Sequence, residues 1–239
     1  MIAENPLILH NMPVLVQYEN VQIRNRFMRK IYTTLTIQIM ITYIIFRIIL
    51  SLPLKQREEL SKSIILILTT ALLTIIFIGL AIFERTNYPR NLIYLILLSF
   101  FEALTLSFSL ASISQPSIVK TAFKLTAGIF GLLTMFTFQN RFSIDRISTI
   151  FFISFLELLL IIFVSILNPY DFYIYPGYYV ILMISIVIFC FYIVFDTVRV
   201  LDSLNEDEWV LAVIILYFDF LRLFMKILEL LSYLAKKNK

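Results

Sequence analysis

Seven long, uninterrupted apolar runs constrain this chain more than any other feature. They cover residues 31–53, 63–83, 91–112, 117–138, 147–167, 174–196 and 210–234. Each is long enough to cross a bilayer, which takes about 20 mostly apolar residues. In a chain of 239 residues such runs leave only short connections, so there is no room for a soluble domain. Composition agrees: 60% of the residues are hydrophobic and 15% are charged, with a mean hydropathy of +0.91. An ordinary soluble domain has about 45–50% and about 25%. The runs are Leu, Ile and Phe without a period of two, which excludes the alternating strands of a membrane β-barrel. The expected fold is all-α, a bundle of seven transmembrane helices.

The breaks between runs hold residues that end helices or resist lipid: Ser51-Leu52-Pro53 with Lys55-Gln56-Arg57-Glu58-Glu59, then Glu84 to Asn91, Ser114-Gln115-Pro116, Gln139-Asn140-Arg141 and Asn168-Pro169-Tyr170-Asp171. The organisation expected is a cytosolic N-terminal segment over 1–30, a transmembrane domain over 31–234 and a basic tail over 235–239. The first 30 residues carry Glu4, Glu19, Arg24, Arg26, Arg29 and Lys30 without a cleavable apolar core, so the first span is expected to act as its own insertion signal. With the N-terminus cytosolic, that side collects nine Lys and Arg against four opposite, before the tail is placed. Seven full crossings put Lys236, Lys237 and Lys239 on the far side, whereas charge bias favours them on the cytosolic side. Whether the last segment crosses completely stays open on sequence.

One cysteine, Cys190, and one histidine, His10, exclude an intrachain disulfide, a cysteine-ligated structural zinc and a three-histidine zinc hydrolase. The informative residues are the ionisable ones inside apolar runs, each costing roughly 2.5–3.5 kcal/mol on insertion scales. They are Arg47, Glu102, Lys124, Glu157, Asp196, Asp219, Arg222, Lys226 and Glu229. Arg47 and Lys124 can snorkel to the interface. Asp219, Arg222, Lys226 and Glu229 stack on one stripe of a helix; the expectation is that this charged last helix faces the bundle interior, with an interfacial amphipathic helix as the bland alternative. Glu102 and Glu157 lie near mid-span, where they line a path or pair with interior cations. Ala103, Ser107 and Ala111, with Gly128 and Gly131, suggest close packing of the third and fourth spans.

Several ordered blocks resemble the transmembrane Bax inhibitor motif family, specifically its lifeguard branch, which includes the Golgi anti-apoptotic proteins. The resemblance begins at Phe27-Met28-Arg29-Lys30-Ile31-Tyr32, with Leu35 and Gln38. It continues through Tyr88-Pro89-Arg90-Asn91-Leu92-Ile93-Tyr94 and Phe101-Glu102-Ala103-Leu104-Thr105. It is strongest in Tyr192-Ile193-Val194-Phe195-Asp196-Thr197, Asp207-Glu208-Trp209-Val210-Leu211-Ala212 and Leu216-Tyr217-Phe218-Asp219. The resemblance implies a seven-helix bundle of Golgi or endoplasmic reticulum membranes that conducts a slow calcium leak and restrains apoptosis. It also implies that Asp196 and Asp219 form a pH-responsive pair, and a second layer of partners among cell-death regulators or calcium-release channels. Two such carboxyl groups in a low-dielectric site titrate as one coupled unit, and oxygen donors suit transient Ca²⁺. Glu206, Asp207 and Glu208 can concentrate cations at a mouth or merely cap the last helix behind Asn205. Arg222 departs from the neutral residue usual in the branch, and the second span lacks the arginine that bacterial-type members carry; Arg222 is expected to pair with Asp219 and so to modulate the pair. No cofactor, enzymatic activity or nucleic-acid partner is expected. The competing readings are a regulator that binds proteins without transport and, more remotely, a seven-helix receptor with Lys226 as a retinal-type attachment point, with Trp209 placed in a loop.

Overall fold

Residues 21–111, 116–139 and 176–237 are described by the structure, a computed structural model. Among them are seven α-helices: α1 Val21–Leu50, α2 Leu54–Lys62, α3 Ile64–Phe83, α4 Arg90–Ser109, α5 Pro116–Gln139, α6 Pro176–Ser203 and α7 Trp209–Lys237. A short 3₁₀ turn, Glu206–Glu208, precedes α7. The protein is an all-α membrane protein, with five of these helices long and apolar enough to cross a bilayer. The run at 147–167 with Glu157, the N-terminal stretch with His10, and the last two residues lie outside the described part.

The outward faces of the helices are apolar like the core, unlike those of a water-soluble bundle. On α3 the exposed positions include Ile65, Leu68, Leu72 and Ile75, whereas Thr70, Thr74 and Ala81 are buried. On α1, Ile37, Met40, Ile44 and Ile48 recur on an exposed stripe, and Phe27, Ile31, Leu35, Gln38 and Thr42 form the opposite buried one. Lipid welcomes the large apolar faces, and small or hydroxylic residues let helices approach. Most buried hydroxyls cost little because they donate to a carbonyl one turn back: Thr42 to Gln38 O at 2.9 Å, Thr74 to Thr70 O at 3.0 Å, Ser99 to Leu95 O at 2.8 Å.

The last helix is the pillar of the bundle. Along α7, Val210, Val213, Leu216, Tyr217, Phe220, Leu223, Phe224 and Ile227 are fully buried, so apolar side chains cover most of its circumference, as expected for a helix at a core. It packs against α6, α5 and α1, while α3 and α4 form a hairpin laid on α1. Ring contacts fix directions. Thr42 meets Tyr217 at 2.8 Å and Phe46 meets Phe224 at 5.5 Å, so α1 and α7 run parallel. Phe123 contacts Phe224 at 5.7 Å and Phe130 contacts Phe220 at 5.7 Å, so α5 runs antiparallel to both. At 29 residues beside the 30 of α1, α7 is a full-length helix ending opposite to where it begins.

Four expectations are corrected. The first helix starts at Val21, nearly three turns inside the polar segment, because Phe27 and Ile31 already continue its buried stripe. The break after Pro53 is itself helical, as α2. Trp209 is not in a loop: it is the first residue of α7, buried beneath the Lys30 ammonium at 4.2 Å. The close packing expected from small residues in the third and fourth spans holds for the third and not for the glycines of the fourth. Ala103, Ser107 and Ala111 are buried, and α4 packs on α3 and α1, but a Cβ added at Gly128 or Gly131 would meet nothing within 4 Å.

Candidate functional site

Asp196 and Asp219 are brought together across the α6–α7 hairpin. Val198, Val200 and Leu201 carry α6 on to Ser203, so Asp196 sits about two turns inside the helix rather than at its end. The Asp219 carboxyl lies within the electrostatic reach of Asp196. Asp219 is 2% exposed and Asp196 is half-buried. The two Asp219 oxygens differ: Oδ1 accepts from Arg222 Nη1 at 3.0 Å, and Oδ2 is buried with no well-formed hydrogen bond. The expected Arg222 pairing is therefore present. The arrangement can hold one proton between two acids, or a cation, with a guanidinium standing beside it.

The charged stripe of α7 resolves into two ion pairs one turn apart. Below Asp219–Arg222, Lys226 Nζ lies 3.0 Å from Glu229 Oε2. Only Asp219 is deeply buried; the Arg222 side chain is 57% exposed, and those of Lys226 and Glu229 are 34% and 40% exposed. Spacing of three residues puts each pair on neighbouring turns, so the helix carries its charges as neutral couples.

Behind the pair lies a set of hydroxyls. The Tyr32 hydroxyl of α1 lies near Thr134 on α5 and Thr197 on α6, next to Asp196. On the other side of α7, the Tyr217 hydroxyl pairs with Thr42, and Gln38 Nε2 donates to Leu95 O on α4 at 3.3 Å. Glu102 is not part of the aspartate pair. It is half-buried, contacts Thr74 on α3 and is felt electrostatically by Tyr217. The bonds of Tyr217 and Gln38 were missed on sequence, although Gln38 and Thr42, four apart inside an apolar run, were a signal that one face of α1 is polar.

Asp207 and Glu208 are placed at one end of the bundle, away from the pair. Glu208 Oε2 accepts from the Asn205 backbone N–H at 3.2 Å, and its Oε1 lies 3.4 Å from Arg85. This is the capping role, with a cross-link to the α3–α4 turn added. Asp207 and Glu206 are exposed within the field of Lys30. Cations from two elements, Lys30 of α1 and Arg85 of the α3–α4 turn, therefore already face these acids.

Comparison with known proteins gives a consistent answer. The family model described as inhibitor of apoptosis-promoting Bax1 matches residues 24–237. Bax inhibitor 1 of Schizosaccharomyces pombe is 32% identical over 220 residues, 90% of this chain and 79% of that protein. The Golgi anti-apoptotic protein of Vaccinia virus, strain Lister, is 29% identical over 91% of this chain and 90% of its own length. Protein lifeguard 4 of Mus musculus is 28% identical over 91% and 89%.

Proposed function

Because the chain belongs to the Bax inhibitor family, we propose that it restrains apoptosis from an intracellular membrane by passing a slow calcium leak through a gate built on Asp196 and Asp219. The observation that carries this reading is the carboxyl pair across α6 and α7, one member deeply buried and with an unpartnered oxygen. Two carboxyl groups so close in a low-dielectric interior cannot both ionise cheaply and titrate as a unit. One shared proton holds α6 against α7. Its loss sets like charges against each other and parts the two helices along an oxygen-lined seam that a hard cation can follow. Ca²⁺ visits Asp196 and Asp219 transiently, and no catalytic step is involved. Arg222 modulates the pair by giving Asp219 a fixed positive partner, while Glu102 lines the opposite side of α7.

The name of the vaccinia relative supports a Golgi location, and those of the vaccinia and fission yeast relatives support control of cell death. Orientation draws support from geometry: Lys30, Arg85 and the start of α7 share one end of the bundle, the end that positive charge assigns to the cytosol. Full passage of α7 then sends the basic tail to the lumenal side. One observation favours a second reading, in which the protein binds cell-death regulators or calcium-release channels without transporting: an aspartate already held by a guanidinium makes a poorer proton switch. Calcium efflux from liposomes holding only the purified protein separates the two. The leak reading expects efflux above that of protein-free liposomes, and equal rates refute it.

A further inference from the structure

The end of the bundle remote from Lys30 and Trp209 carries a cavity of about 230 Å³ between α1 and α5, lined by Tyr43, Phe46, Arg47, Leu50, Val119 and Lys120. Its walls are aromatic and aliphatic, yet two cations sit in them. Arg47 lies three residues before the end of α1 and Lys120 four residues after the start of α5, a depth at which a spanning helix meets headgroups. Both side chains are exposed, as is Lys124 one turn further along α5, and no acid pairs with any of the three among the described residues. Ile44 and Ile48 of α1 are exposed beside the cavity on the lipid-facing stripe.

Two like charges lining one apolar slot favour an anion between them, and the exposed apolar stripe of Ile44 and Ile48 beside it favours an anion with an apolar tail. We propose that this cavity holds the headgroup phosphate of an anionic phospholipid between Arg47 and Lys120, with an acyl chain along Ile44 and Ile48. The chemistry of the two cations suits the task. The guanidinium offers paired N–H donors to two phosphate oxygens, and the ammonium supplies a compact charge from the facing helix. Phe46 and Leu50 exclude water from the ester region. Bound lipid would thereby join α1 to α5 beside the Phe46–Phe224 and Tyr43–Phe123 ring contacts that hold both to the centre.

The test uses the purified full chain in detergent micelles doped with phosphatidylglycerol or with phosphatidylcholine, or with glycerol phosphate in solution, read by native mass spectrometry. One phosphatidylglycerol per chain should survive, with phosphatidylcholine and glycerol phosphate retained far less. The double variant Arg47→Gln/Lys120→Gln should weaken retention by about tenfold or more, while Arg47→Lys/Lys120→Arg keeps it. Lys62→Gln, which removes an exposed cation outside the cavity, should change nothing. Unaltered helicity of the double Gln variant by circular dichroism confines its effect to the site. Equal retention of the two lipids, or undiminished retention by the double Gln variant, overturns the proposal. Glycerol phosphate bound as tightly as the lipid would mark a free-anion site and overturn the lipid assignment.

Discussion

Arg222 and Asp219 form an unequal pair, and cutting it from its two sides should give unequal results. At 3.0 Å and an effective dielectric near 20 the gross attraction is about 5–6 kcal/mol. Much of that is cancelled, because the Arg222 side chain is 57% exposed and the Asp219 side chain only 1%. Exposed pairs contribute about 0–1 kcal/mol, and removing one partner of a fully buried pair costs about 3–5 kcal/mol. Arg222→Gln strands a buried carboxylate beside Asp196 and should destabilise the protein by about 1–3 kcal/mol. Asp219→Asn removes that carboxylate and its repulsion with Asp196 and should cost under about 1 kcal/mol; Arg222→Gln made on top of it should add little. Unfolding by sodium dodecyl sulfate titration in mixed micelles, run as a double-mutant cycle, reads the difference directly. If Arg222→Gln costs the same in both backgrounds, with coupling below about 0.3 kcal/mol, the two side chains do not act on each other and this reading of the site fails.

Three further outcomes follow from the packing. Phe224→Ala empties a fully buried position between Phe46 and Phe123 and should cost about 3–5 kcal/mol in the same titration; a loss below about 1 kcal/mol would deny α7 its central place. Tyr217→Phe removes the 2.8 Å contact with Thr42, but the Thr42 hydroxyl keeps its bond to Gln38 O. The cost should stay near the roughly 0.6 kcal/mol typical of membrane interiors, and a loss above about 3 kcal/mol contradicts that. In sealed vesicles of a Cys190→Ala background, Lys55→Cys and Asn87→Cys should react with an impermeant maleimide from opposite faces, since the α1–α2 and α3–α4 connections lie at opposite ends; labelling of both from one face breaks the topology.

Much of this architecture could be read from residues, for a physical reason: lipid demands long apolar runs with internally satisfied backbones, and such runs are visible without any tertiary knowledge. The blocks that carried the family resemblance turn out to be packing surfaces. Phe27, Ile31, Leu35 and Gln38 form the buried stripe of α1, Asn91 ties the start of α4 to Arg85 O at 2.9 Å, and Leu216, Tyr217 and Asp219 are buried in α7. The acids of the candidate pair stood out because charge is costly in an apolar run. What remained hidden depends on contacts between distant segments. Whether Asp196 ended a helix or lay within it turned on Thr197 and Val200 being buried, which periodicity alone does not reveal. Gly128 and Gly131 read as a packing motif, yet small residues mark a close approach only where another helix arrives. Trp209 followed three acidic residues and so resembled a loop, but the cation–π contact with Lys30 makes it the anchored first residue of a helix.

The most direct test of the central claim is the rate of calcium efflux from liposomes holding purified protein, followed across the neutral pH range for the unaltered chain and for Asp219→Asn. The account predicts efflux that rises with pH in the unaltered chain as the carboxyl pair gives up its proton, and a flattened profile in the variant. Identical pH profiles for the two proteins would contradict it.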